Sequence, residues 1–190
     1  MAIVLASQSP RRQELLARIG VEDFKTLSLD IDESYPAGLS PEDTVRYIAK
    51  KKCDAAAALC APDDLIITAD TMVFLDNDRL GKPRDEEDAL RMLRALSGHA
   101  HTVCTGVSVR RGAQEERFAV STRVFFRPMT DDEIRAYIKT GEPMDKAGAY
   151  GVQSRGALFV ERIDGDFFNV MGLPVEQLGL VLARFGVKLL

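Results

Sequence analysis

The sequence predicts an α/β fold with α+β character, built on a mixed sheet. Two observations support this prediction. Short apolar runs, typical of buried strands, alternate along the chain with amphipathic helices, and a long hairpin interrupts that alternation in the second half. A doubly wound parallel sheet would contain no such hairpin. We therefore expect parallel and antiparallel strands in one sheet.

The chain begins with a predicted strand and helix. The apolar run 2–5 has the length of a buried strand, although a short helix is the alternative. Ser9 then stands at an N-cap position, and Pro10 suits the first helical position because its missing N–H is not needed there. We expect this helix to run from Pro10 to about Ile19, with Gly20 as its C-cap.

Two arginines occupy the first turn of this predicted helix, at Arg11 and Arg12. Cations are unfavourable beside the positive end of a helix dipole unless an anion binds there. Helix-start N–H groups, the hydroxyl of Ser7 and two guanidinium groups would together suit a phosphate chain. Arg12 projects on the side of the apolar residues, toward the protein body. A solvated basic turn is the alternative interpretation.

The second helix carries a lysine on its apolar face. An alternating stretch at 24–29 predicts a half-buried strand, after which Ser40 and Pro41 begin a helix that continues to about Leu59. At about 100° per residue, Lys52 falls in the middle of the apolar stripe of this helix. Its ammonium must either reach solvent along the stem or meet an anion.

A second buried strand is predicted at 65–69 and ends at Asp70, with 72–75 continuing it. Residues 77–78 mark a turn. An amphipathic helix at 85–96 then follows. Strand ends in α/β proteins are where ligand and metal sites collect, so Asp70 is a candidate site residue.

The second half of the chain opens with the hairpin. Its arms are predicted at 102–109 and 117–126, joined around Gly112. A capping box then begins a helix at Thr130 that stops at Gly141.

In the last part of the chain we predict an irregular, glycine-rich stretch at 145–156. A strand at 157–163 and a helix from Pro174 to about Phe185 follow it. We see no repeat and no linker, so we expect residues 1–190 to form a single domain.

Composition excludes several classes of function. The 190 residues are 46% hydrophobic and 28% charged, with a net charge of −4, which argues against broad nucleic-acid or anionic-membrane binding. No apolar run is long enough for a transmembrane helix, and we expect no signal peptide. Three cysteines, Cys53, Cys60 and Cys104, lack metal-site spacing and indicate reduced thiols of a cytoplasmic protein.

Carboxylates and cations together predict a metal–polyphosphate site. Glu33 follows one predicted strand and Asp70 ends another, so the two could meet around a hard cation. Mg²⁺ binds in this way, through one or two carboxylates plus phosphate oxygens. Lys82 and Lys146 add positive charge from loops.

The chain resembles the Maf family of nucleoside triphosphate pyrophosphatases. Residues 7–16 (SQSPRRQELL) resemble the opening signature of that family. The other matching motifs stand in family order over essentially the whole chain, at 32–33, 52, 69–71, 81–83, 96–98, 145–153 and 170–174. Thr68 and Phe167 depart from it, where the family often has Gly and Tyr.

This resemblance implies an activity and a fold. The family cleaves a nucleoside triphosphate between the α and β phosphates with a divalent metal, Mg²⁺ or Mn²⁺, and releases pyrophosphate. The implied fold is related to that of inosine triphosphate pyrophosphatases, with two α/β lobes around a central cleft, often in a homodimer. Arg11, Thr71 and Gln153 match three selectivity positions of the branch that hydrolyses dTTP and UTP.

The resemblance also implies roles for the candidate residues. Asp70 would be the proton acceptor, and the placement of the two carboxylates leads us to expect that Asp70 and Glu33 hold the metal. The remaining residues would bind the nucleotide: Ser7, Arg11, Arg12, Lys52, Thr71, Lys82, Lys146 and Gln153. Two alternatives stay open at this point. One is a non-catalytic nucleotide-binding regulator of cell division and septum formation, and the other is a nucleic-acid binder.

Overall fold

Seven strands form one mixed sheet in the computed structural model, which describes residues 2–76 and 78–190. The strands are β1 (Ile3–Leu5), β2 (Phe24–Thr26), β3 (Leu65–Leu75), β4 (Asp78–Leu80), β5 (Ala100–Arg111), β6 (Gln114–Phe126) and β7 (Val160–Asp164). Their order in the sheet is β2-β1-β3-β5-β6-β7, with β4 paired to β3.

The pairing confirms the mixed sheet. β1 runs parallel to both β2 and β3, with Val4 opposite Lys25 and Ile66. β4 pairs antiparallel with β3, and β7 pairs antiparallel with β6. β5 and β6 are neighbours joined by the short turn that contains Gly112, whose φ of +56° lies in the left-handed region. The predicted hairpin is therefore confirmed.

Six α-helices are described: α1 (Pro10–Arg18), α2 (Pro41–Ala57), α3 (Glu86–Leu96), α4 (Asp131–Ile138), α5 (Phe167–Met171) and α6 (Val175–Arg184). Short 3₁₀ turns lie at Glu142–Asp145, Ala147–Ala149 and Arg155–Phe159. Within residues 2–76 and 78–190, no helix combines the length and the apolar character needed to cross a membrane.

The chain divides into two compact units. The first unit comprises Met1–Asp70, Thr105–Val120 and Gly172–Leu190. Its fully buried side chains come mainly from α1, α2, β1, β3 and α6, and include Leu5, Leu15, Leu16, Ile48, Ile67, Leu178 and Leu182. The second unit comprises Thr71–Cys104 and Ser121–Met171, and it buries Leu93, Leu96, Val124, Phe126 and Ile134.

The capping predictions are confirmed in two helices and wrong in one. Ser40 accepts from the Asp43 amide at 3.1 Å, and Thr130 forms a complete capping box with Glu133. Ser9 occupies the N-cap position of α1, but its side chain makes no capping hydrogen bond. Its own amide instead donates to Ser7 Oγ at 3.2 Å.

Several predicted boundaries move. β2 ends at Thr26 rather than at residue 29. Residues 157–159, predicted as the start of the last strand, belong instead to the 3₁₀ turn Arg155–Phe159 before β7. The stripe of α2 is buried from Val45 to Ala56, but Leu59 is 68% exposed because the helix ends at Ala57. The predicted turn at 77–78 falls partly on residue 77, which lies outside the described residues.

A buried histidine in the second unit is expected to make the stability of the fold depend on pH. His101 is 2% exposed, and its ring packs edge-on against Phe126 with centroids 4.9 Å apart. Its Nε2 lies 2.8 Å from the hydroxyl of Tyr150, and its Nδ1 has no hydrogen-bond partner within the described residues. Burial lowers the pKa of His101 from 6.5 to about 4.

We expect this histidine to destabilise the protein in acid. The unfolded chain takes up a proton near pH 6.5, whereas folded His101 does so only near pH 4. The contribution of His101 to the free energy of unfolding is therefore fully present above pH 6.5. It falls as the pH drops toward 4, by about 1.4 kcal/mol per pH unit at most. Urea unfolding of the wild type and of His101→Gln at several pH values measures the difference. His99→Gln, at an exposed position, should retain the wild-type dependence.

Candidate active site

The start of α1 holds Arg12 against two backbone carbonyls of the first unit. The Arg12 Nε donates to the Gly172 carbonyl at 2.8 Å, and Nη1 donates to the Ala69 carbonyl at 2.9 Å. Nη1 also lies 3.3 Å from Ser7 Oγ. The prediction that Arg12 points toward the protein body is confirmed. Its guanidinium fixes the backbone immediately before Asp70.

Ser7 lies where β1 passes into α1. Its amide donates to the Leu5 carbonyl at 3.0 Å, which fixes the chain direction after the strand. Its hydroxyl oxygen accepts from the amide of Ser9 at 3.2 Å and from Arg12 at 3.3 Å. Ser7 and Arg12 are therefore brought together, as predicted.

Asp70 occupies the middle of β3, not a strand end. The strand continues through Asp70 to Leu75 because the apolar residues beyond Asp70 extend the same buried strand. The side chain of Asp70 is 9% exposed, and its Oδ1 accepts from Lys52 Nζ at 2.8 Å. Its other oxygen, Oδ2, is buried and has no hydrogen-bond partner within the described residues.

Lys52 is paired with two carboxylates. Besides Asp70, its ammonium contacts Glu33 Oε1 at 2.8 Å, and its side chain is 15% exposed. The sequence predicted that Lys52 either reaches solvent or meets an anion, and in the structure it meets two anions. An ammonium with so little exposure needs such partners, because burying an unpaired charge is costly.

Two contacts fix α2, which carries Lys52, within the first unit. Thr68 on β3 donates its hydroxyl to the Ala49 carbonyl at 2.7 Å. Gly106 on β5 lies so close to the helix that an added Cβ would stand 2.3 Å from the Val45 carbonyl carbon. These contacts set the distance from Lys52 to Asp70.

Glu33 reaches Lys52 from an irregular segment that is itself tied to α2. It lies well beyond the end of β2, not directly after a strand as predicted, and its side chain is 53% exposed. The neighbouring Asp32 pairs with Lys51 at 3.2 Å. Asp32 also accepts from the hydroxyl and amide of Ser34, and these hydrogen bonds with the Lys51 contact lower the pKa of Asp32 to about 2.

Charges of both signs act on Arg12. Burial lowers the pKa of Arg12, the negative charge of Asp70 opposes that effect, and the positive charge of Arg11 adds to it. Glu33 also acts to raise the pKa of Arg12. The cluster of Ser7, Arg12, Glu33, Lys52 and Asp70 therefore combines cations and carboxylates within one unit.

The two acids suit a hard divalent cation. Glu33 and Asp70 converge on one ammonium, so they can share a positive charge, and Asp70 Oδ2 is a buried acceptor that needs a donor or a metal. No group of three or more His, Cys, Asp or Glu side chains within residues 2–76 and 78–190 is placed to hold a metal. Mg²⁺ does not require such a group, since water and phosphate complete its coordination. The residues present therefore fit this ion.

The remaining candidate residues belong to the second unit. Thr71 follows Asp70 in β3 and is partly buried, whereas Lys82 and Gln153 are exposed. The loops of Lys82 and Lys146 are joined, because the Gly148 amide donates to the Gly81 carbonyl at 3.0 Å. Gln153 lies in the turn that follows Gly151.

The Lys146 ammonium is used within its own segment. It donates to the Glu142 carbonyl at 2.7 Å and to Asp145 Oδ1 at 2.7 Å, and its side chain is 12% exposed. The sequence predicted a cation available to phosphate, and the structure places this one against backbone and a neighbouring carboxylate.

Sequence reasoning missed three groups that organise these clusters. The carbonyls of Ala69 and Gly172 hold Arg12, and backbone acceptors carry no sequence signal. The side chain of Glu142 accepts hydrogen bonds from several residues of the glycine-rich stretch. Its position beside Gly141, where α4 was predicted to stop, was the only pointer to it in the sequence.

Comparison with known proteins gives consistent results. The sequence pattern of the family described as Maf-like protein matches residues 2–185. The chain is 47% identical to a dTTP/UTP pyrophosphatase of Bacillus velezensis, over 98% of this chain and 97% of the relative. It is 46% identical to a dTTP/UTP pyrophosphatase of Pelotomaculum thermopropionicum, over 99% and 98%.

A solved structure shows the fold. A HAM1 protein from Coxiella burnetii aligns with 97% of this chain and 99% of its own, with a TM-score of 0.53 and 12% sequence identity. The similarity concerns the fold alone, and it confirms the mixed α/β architecture predicted from the sequence.

Proposed function

We propose that this chain, which belongs to the Maf-like protein family, hydrolyses dTTP and UTP to the monophosphate and pyrophosphate. The observation that carries the proposal is the cluster in which Lys52 joins Asp70 and Glu33, beside Arg12 and Ser7. Relatives that carry the name dTTP/UTP pyrophosphatase, similar to this chain over nearly their whole length, support it.

Asp70 is proposed to act as the general base that accepts a proton from the attacking water. Its Oδ2 is buried and has no hydrogen-bond partner within the described residues, so it can orient a water molecule and accept its proton. Lys52 keeps Oδ1 in place. A divalent cation held by Glu33 and Asp70, Mg²⁺ or Mn²⁺, would supply Lewis-acid activation when bound.

The cations beside Asp70 are proposed to bind the triphosphate. Lys52, Arg12 and Arg11 bring positive charge toward the phosphate chain and stabilise the charge that develops on the leaving pyrophosphate. The hydroxyl of Ser7 can donate to a phosphate oxygen, because its oxygen already accepts from the protein.

The residues of the second unit keep the roles that the resemblance implies, and these roles stay predictions. Lys82 and Lys146 would bind phosphate, and Thr71 and Gln153 would contact the base. A polar contact to a base edge discriminates better than an apolar pocket. The cytoplasmic location and the homodimer likewise stay predictions.

One assay separates the proposed function from its alternatives. The purified chain is incubated with a panel of nucleoside triphosphates and Mg²⁺ or Mn²⁺, and the products are identified. Pyrophosphate released from UTP and dTTP is the expected result. Inorganic phosphate as the product would contradict it. Absence of turnover with every nucleotide would contradict the proposed function and favour the two non-catalytic alternatives, the regulator of cell division and the nucleic-acid binder.

The two arginines of α1 should have different effects. Arg12→Ala should lower kcat/KM about 100-fold for every nucleotide alike, because Arg12 supports the backbone before Asp70 and is proposed to bind the phosphates. Arg11→Ala should in addition reduce the preference among nucleotides. The measurement is kcat/KM for UTP, dTTP, CTP and GTP. Arg18→Ala, an exposed arginine of the same helix paired with Glu14, serves as the control. Equal loss of preference in both site variants would contradict this division.

A further inference from the structure

We propose that Glu142 is a positioning residue that holds the turn carrying Gln153 and thereby sets the preference among nucleotide bases. The inference rests on the proposed function, in which Gln153 contacts the base. Glu142 itself lies in the 3₁₀ turn Glu142–Asp145 and is partly buried. Its carboxylate accepts hydrogen bonds from the residues directly after Gln153, so its effect on the base preference passes through Gln153.

The carboxylate of Glu142 accepts four hydrogen bonds, all within the second unit. Its Oε1 accepts from the Tyr137 hydroxyl at 2.8 Å, from Ser154 Oγ at 2.6 Å and from the Gly156 amide at 3.2 Å. Its Oε2 accepts from the Arg155 amide at 3.3 Å. Three of these four donors lie in consecutive residues directly after Gln153.

Tyr137 extends this support to the other end of the turn. Its hydroxyl oxygen accepts from the Gly151 amide at 3.1 Å while its hydrogen points to Glu142. The turn closes on itself through the Ser154 amide, which donates to the Gly151 carbonyl at 3.4 Å. Gln153 therefore lies in a turn whose two ends, Gly151 and Ser154, are both connected to Glu142.

Close packing restricts the conformation of the segment from Gly151 to Gly156. An added Cβ at Gly156 would stand 2.6 Å from the Gly151 carbonyl oxygen and 2.8 Å from the Tyr137 hydroxyl. An added Cβ at Gly151 would stand 2.8 Å from Lys146 Cε. The side chain of Lys146 thus packs across the turn, and its ammonium ends on the Glu142 carbonyl. The backbone carbonyl of Glu142 therefore restrains Lys146, and its carboxylate restrains the turn that carries Gln153.

The ionised form of Glu142 is the form that accepts these bonds. Burial raises the pKa of Glu142, but the hydrogen bonds from Ser154, Tyr137 and the backbone amides outweigh burial and lower the pKa overall. Hydrogen bonds to a charged acceptor are shorter and stronger than those between neutral groups. A carboxylate at this position holds the turn more firmly than a neutral acceptor would.

The chain offers a matched control in Glu133. Like Glu142, it lies in the second unit and accepts several hydrogen bonds, from Arg127 and from the amide of Thr130. Its partners lie in the segment 127–130 that leads into α4, and not in the turn of Gln153. A purely structural carboxylate should behave as Glu133 does when it is removed.

The experiment compares the selectivity of full-length variants. For wild type, Glu142→Ala, Glu142→Gln, Ser154→Ala and Glu133→Ala, kcat/KM is measured with UTP and with GTP. We expect Glu142→Ala to reduce the ratio of the two values about tenfold, because an imprecise polar contact discriminates less. The ratio for Glu142→Gln should lie between those of the wild type and Glu142→Ala, since the amide oxygen of glutamine can still accept from Tyr137 and Ser154. Glu133→Ala should lower stability and leave the ratio unchanged.

Each outcome decides the question. An unchanged ratio in Glu142→Ala, or an equal change in Glu133→Ala, overturns the inference. If Glu142→Ala does not fold, an unchanged ratio in both Glu142→Gln and Ser154→Ala overturns it equally. A wild type that releases no pyrophosphate overturns the proposed function and this inference together. A wild type that does so, with unchanged selectivity in the variants, overturns this inference alone.

Discussion

Asp70→Asn should lower turnover of UTP about 1,000-fold or more while leaving nucleotide binding largely intact, because general-base groups contribute rate factors of about 10² to 10⁴. The amide has the shape of the carboxylate, and its oxygen can still accept from Lys52, which keeps Glu33 as a second partner. It cannot take up a proton from water. Steady-state release of pyrophosphate measures the loss, and calorimetric titration with UTP measures binding.

The control for this variant is Asp54→Asn. Asp54 lies on α2, the helix that carries Lys52, and is paired with Lys50 and with Arg110 at 3.1 Å. It is an exposed carboxylate that the proposed mechanism does not use, so activity should stay close to that of the wild type. Normal turnover by Asp70→Asn would show that the proton acceptor has been assigned to the wrong residue.

Gly106→Ala should strongly destabilise the first unit, lowering the free energy of unfolding by more than about 3 kcal/mol. An added Cβ would stand 2.3 Å from the carbonyl carbon of Val45, 2.4 Å from its oxygen and 2.6 Å from the Arg46 amide nitrogen. All three atoms are helix backbone, so no side-chain rotation relieves the overlap. The helix α2 has to move away from β5.

This displacement should also reduce activity, because α2 carries Lys52 to Asp70. Urea unfolding followed by circular dichroism measures the stability, and pyrophosphate release measures the activity. Gly179→Ala is the matched control: Gly179 lies in α6, and an added Cβ would meet only Leu189 Cδ1, at 3.6 Å. The free energy of unfolding of that variant should rise by up to about 1 kcal/mol, since alanine favours a helix more than glycine does. Equal effects of the two substitutions would refute the argument from backbone contact.

The sequence was informative about structure where the deciding interactions are local. The capping residues Ser40 and Thr130 predicted the starts of α2 and α4, because a cap and its amide are three residues apart. The apolar stripe of α2 predicted which face is buried and singled out Lys52. The strand runs of β1 and β3 followed from continuous apolar residues.

The candidate site could be assembled in part. The sequence identified Ser7, Arg12, Glu33, Lys52 and Asp70 as one group, through the conflict between charge and apolar surroundings and through family resemblance. It placed Asp70 at a strand end, whereas β3 continues past that residue. A polar residue interrupts the apolar pattern of a sequence in the same way whether the strand ends at that residue or continues beyond it.

What the sequence alone determined is which residues carry charge where apolar packing is expected, and where each helix starts. Tertiary structure alone decided the partners of those charges. The carbonyl that holds Arg12 at Ala69 is 57 residues away, and the donors on Glu142 from Ser154 and Gly156 are 12 and 14 residues away. A backbone carbonyl or amide is the same in every residue. Only the folded geometry therefore selects which of them meets a buried charge.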